Sequence, residues 1–116
     1  MKKVSFIGSS RDDLKEFPED VRQDIGFALY LAQCAGKAMN VKPLKGFGGA
    51  GVLEVREDHD GDTYRAVYTV KFGDVLYVLH CFQKKSKSGI KTSGQDIELV
   101  KRRLKVAEED YNSIYK

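Results

Sequence analysis

Four cations are spaced so that a sheet could gather them: Arg56, Arg65, Lys84 and Lys85. Arg56 and Arg65 flank His59-Asp60-Gly61-Asp62, and an Asp-Gly pair between alternating stretches signals a tight hairpin, so the arginines fall on neighbouring strands. Lys84 and Lys85 close the most apolar run in the chain, Val75 to Phe82. Brought to one sheet edge, such cations can hold RNA phosphates. They can also stabilise the charge that develops when a 2′-hydroxyl attacks its own phosphodiester. A lysine among other cations has a lowered pKa and can then move a proton near neutral pH. Phe82 shares the face of Lys84 by strand alternation. It reads equally as core or as a platform for base stacking. Arg56 reads equally as one half of a cross-strand ion pair. The charge continues through Lys87 and Lys91, with Ser86, Ser88 and Gly89 between them.

Other chemistries find little support. No HExxH, paired cysteine ligands or Ser/His/Asp set is present, so neither a metal nor another cofactor is expected. Gly46, Gly48 and Gly49 lack the GK[ST] of a P-loop and the GxGxxG of a dinucleotide fold. His59 sits in the hairpin turn, and His80 reads as a satisfied core histidine.

The 116 residues predict a single domain over 1–116, long enough for a core without disulfides. The net charge of +3 is mild, but acids gather at 12–24, 54–62 and 108–110 and bases at 37–45, 84–91 and 101–105. Separated basic patches favour anionic partners such as nucleic acid. Cys34 and Cys81 both lie in apolar sequence and read as buried free thiols of a reducing, cytoplasmic location. No membrane-length apolar run occurs.

The elements that must position these residues follow from periodicity. Lys3 to Ile7 predicts a first strand. Ser9 or Ser10 caps a short helix to Phe17, and Pro18 opens a second helix to about Ala35, stopped by Gly36. Val21, Ile25, Ala28, Leu29 and Ala32 form its core stripe, and Gly26 invites a close packing partner. Lys42 to Gly49 reads as a loop. Val52–Asp58, Thr63–Phe72 and the run from Val75 then form an antiparallel meander, the last strand buried on both faces. On the first, Leu53 and Val55 oppose Glu54 and Arg56; on the second, Tyr64, Ala66, Tyr68, Val70 and Phe72 share a face. Ser93 with Asp96 caps a final helix whose Ile97, Val100, Leu104, Ala107 and Tyr111 form a seam, for the sheet or for a partner. Lys101, Arg102, Arg103 and Lys105 lie off that seam as a solvated face, and the Tyr-rich end reads as frayed.

Five segments in order carry a resemblance: Lys42-Pro-Leu-Lys45-Gly, Leu53-Glu-Val-Arg56, Tyr64-Arg65-Ala-Val-Tyr68, Leu79-His-Cys-Phe82-Gln-Lys84-Lys85-Ser-Lys87 and Asp96-Ile-Glu-Leu-Val-Lys-Arg-Arg-Leu104. Together the sequence resembles the RelE/HigB superfamily of bacterial toxins, above all its phage-derived Gp49-like branch. The resemblance implies an α+β fold: two N-terminal helices on a small curved, mainly antiparallel sheet, with a C-terminal helix. It implies a metal-independent endoribonuclease that cuts mRNA in the ribosomal A site, and a cognate antitoxin of helix-turn-helix type. By that resemblance Arg56 and Arg65 contact phosphate or the transition state. Lys84, with Lys85 beside it, moves a proton or stabilises charge. Phe82 stacks on a base, and Lys42 and Lys45 dock on ribosomal RNA. A gyrase-binding toxin of the ParE kind, or an inactive phage-derived relative, is the alternative.

Overall fold

The computed structural model describes residues 1–48, 51–84 and 91–115. Its elements are β1 (Lys3–Phe6), α1 (Ser10–Lys15), α2 (Glu19–Gln33), β2 (Val41–Pro43), β3 (Val52–His59), β4 (Asp62–Phe72), β5 (Val75–Lys84) and α3 (Gly94–Tyr115). The fold is α+β around a five-stranded mixed sheet of order β1-β5-β4-β3-β2. The meander β3-β4-β5 is antiparallel as expected, and β1 pairs with β5 in parallel. The sheet therefore has one more strand than the sequence suggested, and its parallel edge makes it mixed.

The β3–β4 hairpin shows why the register is firm. Asp60 and Gly61 both take positive φ (50° and 85°), the geometry of a type I′ turn that matches strand twist. His59 then pairs with Asp62, and every pairing back to Val52 follows. The additional strand, β2, lies where a loop was expected. Val41 is buried, while Lys42 and Pro43 are exposed, so only one of three side chains signals burial. Pro43 suits this place, because an edge strand has an unpaired side.

Helices cover both faces. On one, Val21, Ile25, Ala28, Leu29 and Ala32 of α2 pack with Leu53, Val55, Tyr64, Ala66, Tyr68, Leu76, Val78 and Cys81. On the other, Ile97, Val100, Leu104, Ala107 and Tyr111 of α3 meet Val52, Val67, Phe72, Val75, Tyr77 and Leu79. The seam of α3 thus docks on its own sheet rather than on a partner. β5 is buried on both faces from Val75 to Cys81.

Several local expectations are corrected. Phe72 leaves the face of Tyr68 and Val70 for the α3 side, because the β4–β5 register shifts between Thr69 and Phe72. Ala35, not Gly36, takes the positive φ that ends α2; the Gly36 N–H donates to the Leu31 carbonyl at 2.7 Å and the Ala35 N–H to Ala32 at 3.1 Å, a Schellman closure. Pro18 is the N-cap of α2 rather than its first residue. Gly26 is exposed, with nothing near where a Cβ would stand. Cys34 is exposed and only Cys81 is buried; burial pushes the Cys81 thiol up to about 12. α3 continues through Tyr115, where Tyr111 and Tyr115 stack at 4.9 Å, so its end is an ordered turn of helix. No helix among the described residues is long and apolar enough to cross a membrane.

Glu57 of β3 faces α2. Burial pushes its carboxyl up to about 6, with Asp24 of α2 adding to the rise. The folded chain then holds this proton between pH 4.5 and about 6, where the unfolded chain has released it. Stability contributed by this group is therefore lost as pH rises through that window. Because the side chain is half-exposed, solvent screening keeps the effect to about 1 kcal/mol or less. Urea melts of Glu57→Gln against the parent between pH 4 and 7 should show the variant gaining relative stability as pH rises, by that amount.

Candidate functional site

The sheet face beneath the first turn of α3 carries the site in rows. Across β3, β4 and β5 the register aligns Arg56, Arg65 and Phe82. The next row is Glu54, Val67 and His80, extended on the edge by Lys42 of β2. Lys84 stands opposite Thr63 at the end of β5. Cross-strand alternation explains Arg56 and Arg65. The phase of Phe82 and Lys84 has another cause, an extra residue in β5: Val67 pairs with His80 but Tyr68 with Val78, leaving Leu79 unmatched. Leu79 and His80 consequently face the same way, and the residues after them change faces.

Two arginines directly opposite each other repel. Glu54, 2% exposed, resolves this. Its Oε1 accepts from Arg56 Nε at 2.8 Å and lies 3.7 Å from Arg65 Nη1. The hydroxyl of Thr92, just before α3, donates to Glu54 Oε2, and Arg65 Nη1 donates to that hydroxyl at 2.9 Å. Arg65, 1% exposed, is enclosed by these partners. Burial pulls its pKa below the ordinary value and Glu54 pulls the other way. Its guanidinium is buried beneath the site, held to Glu54 and Thr92.

Arg56 differs. Its side chain is 36% exposed, and its Nε is engaged by Glu54. The outer edge of the guanidinium, with both terminal nitrogens, has no hydrogen-bond partner among the described residues. It lines a cleft of about 340 Å³ together with Lys42, Lys45, Lys91 and Thr92, over an apolar floor of Pro43, Leu44 and Ile97. Lys42, Lys45 and Lys91 are exposed. A carboxylate-anchored guanidinium beside three ammonium groups is a preorganised site for an oxyanion. The volume suits a group the size of one nucleotide.

The other predicted residues fall nearby. Lys84 Nζ donates to the Lys91 carbonyl, so it fastens the segment that rims the cleft. Phe82 is half-buried against the α3-side core and stacked on His80 at 4.5 Å, which commits one of its faces. Lys85 and Lys87 lie outside the described residues. The sequence reading gave no role to Glu54 and Thr92; it read His80 as a core histidine and Asp96 as a helix cap, and both are so placed, while joining each other at the site's edge. His80 Nε2 donates to Asp96 Oδ1 at 2.8 Å, and the Ser93 hydroxyl donates to Asp96 Oδ2 at 2.7 Å. The acid that pairs with Arg56 is thus its own strand neighbour two residues earlier, not a cross-strand partner. The Glu-x-Arg spacing in a strand was the available signal, since it sets both side chains on one face.

A family model for phage-derived Gp49-like proteins matches residues 12–105, from α1 to most of α3. The chain belongs to that family. No curated protein matches it. The match spans every residue of the site just described, so site and family share the same stretch of this Gp49-like chain.

Removing Glu54 should leave two neighbouring guanidinium groups uncompensated, one of them buried. Glu54→Ala is expected to cost about 3–5 kcal/mol in urea unfolding. Arg65→Met should cost a similar amount, and the double variant Glu54→Leu/Arg65→Met less than the sum of its parts, because no charge is then stranded.

Proposed function

We propose that this Gp49-like chain is the toxin of a type II toxin–antitoxin pair, of RelE/HigB type, acting as a ribosome-dependent endoribonuclease on mRNA in the A site. The observation that carries the reading is the Arg56 edge, held by Glu54 and ringed by Lys42, Lys45 and Lys91. Membership of the phage-derived family is compatible with a toxin role. In this reading the RNA supplies its own nucleophile, the 2′-hydroxyl. Arg56 holds non-bridging oxygens of the scissile phosphate and takes up the charge that builds on them during attack. Arg65 acts through Glu54 and Thr92, keeping Arg56 from swinging away. Lys84 orients the rim through the Lys91 carbonyl and adds positive potential, with Lys85 and Lys87 following it in sequence. Phe82 offers a ring edge to a base, and Lys42 and Lys45 steer ribosomal RNA or the message. The chain's own cations take the part a metal plays in other nucleases. The fold is RelE-like in this reading, the site of action is the cytoplasm, and a helix-turn-helix antitoxin neutralises the toxin by covering the cationic cleft.

The test is a translation extract programmed with one defined mRNA, its 5′ ends mapped by primer extension, beside a reaction without ribosomes. Cuts that require translating ribosomes are the expected result. Cuts on naked RNA would remove the ribosome from the mechanism. An absence of cuts from folded protein free of antitoxin would shift the assignment to a ParE-like gyrase binder or an inactive relative. Arg56→Ala should lower cleavage about 10- to 100-fold, the worth of a charge-assisted hydrogen bond in the transition state. Its melting curve should stay near the parent's, since Arg56 is half-exposed.

A further inference from the structure

The change of phase in β5 needs a cause that holds it. Before the irregularity, Tyr77 faces α3 and Val78 faces α2; after it, Cys81 faces α2 and Phe82 faces α3. Had alternation continued unbroken, His80, Phe82 and Lys84 would point toward α2, away from Arg56 and Arg65. The inserted residue, Leu79, is fully buried. Its carbonyl stands where the β4 ladder is broken, and a buried carbonyl without a donor costs on the order of 1–3 kcal/mol. A bulge without an external donor would tend to slip back into regular register.

Arg103 supplies the donor. It lies on α3 off the apolar seam, where the sequence suggests a solvated face, yet its guanidinium turns inward. Nη1 donates to the Leu79 carbonyl at 2.9 Å and Nη2 to Ser9 Oγ at 3.1 Å. Ser9 in turn donates to the Asp13 carboxylate at 2.8 Å. Gly8 precedes this contact with φ +59°, and a Cβ there would come within 2.8 Å of Arg103 Nε. The β1–α1 turn is thus shaped to admit the guanidinium.

We infer that Arg103 is a positioning residue: by holding the Leu79 carbonyl it fixes the β5 bulge that sets His80, Phe82 and Lys84 on the face of the cationic site. The consequence for RNA cleavage rests on the proposed function; the consequence for side-chain placement does not.

The experiment therefore has two readouts, NMR of the free protein and the ribosome-dependent cleavage assay. In Arg103→Ala the ring signals of His80 and Phe82 and the amides from Leu79 to Lys84 should shift, while those of the β3–β4 hairpin turn stay in place. Cleavage should fall about 10- to 100-fold, as for a misplaced site. Arg103→Lys, with one donor able to reach the Leu79 carbonyl, should recover part of both. Deleting Leu79 makes the β4–β5 ladder regular without changing the faces of His80 and Phe82, so adding Arg103→Ala to that deletion should move their signals no further. Unchanged His80 and Phe82 signals in folded Arg103→Ala would overturn the inference. So would an equal shift with and without Leu79. If the deletion variant does not fold, the inference stands or falls on whether Arg103→Lys lies between the parent and Arg103→Ala in both readouts. If the parent itself cuts no mRNA, the functional reading fails and the ring signals still decide the positioning role.

Discussion

Arg56 and Arg65 are forced together by strand register, and without Glu54 the sheet would carry two adjacent positive charges, one of them cut off from water. Burying a guanidinium is costly without a carboxylate at hand. Glu54, on the neighbouring strand and two residues before Arg56, supplies that carboxylate, and Thr92, just before α3, links Arg65 Nη1 to it. This neutralisation does more than protect the fold. It turns one arginine into a buried strut and leaves the other with its outer edge aimed at the cleft. It also ties the residues just before α3 to the sheet, where Lys91 lines the cleft with Lys42 and Lys45.

The two faces of the sheet do different work. The α2 side carries a broad apolar core. The α3 side is apolar only beneath the middle and end of the helix, and polar beneath its beginning. Close to the helix N-terminus, Ser93, Asp96 and His80 form a second hydrogen-bonded chain beside the Glu54 network. Two polar anchors at one helix end tie it to the sheet and restrain the cleft wall. Restraint of this kind is what a site needs if its hydrogen-bond donors are to stabilise charge without first reorganising.

Much of this was legible in the chain. The Asp-Gly turn gave the hairpin, and alternation then placed Glu54 and Arg56 together and Arg65 beside them. The seam of α3 and its Ser93 cap were readable from spacing alone, as was the core stripe of α2. What failed to show were features that local pattern does not encode. β2 is three residues with one buried side chain, too short for any period to emerge. Ala35 takes a conformation that the neighbouring glycine would adopt more easily, because the closing hydrogen bonds of α2 fall one residue earlier. Phe72 changes faces through a register shift that no run of apolar residues announces.

By itself, then, the sequence determined that there would be a meander flanked by amphipathic helices, and that cations would cluster on one of its faces. Those are consequences of side-chain period and turn chemistry, which act over a few residues. Tertiary structure decided which of those cations stays open to solvent. Arg56 and Arg65 share residue type and sheet face on neighbouring strands, and packing leaves one half-exposed and the other enclosed. It decided as well that His80, Phe82 and Lys84 join them, because a single unmatched residue at Leu79 shifts the phase of everything after it. Both outcomes also draw on groups distant in sequence, Thr92 beside the Glu54 pair and Arg103 at the bulge, and contacts of that kind exist only once the chain has folded.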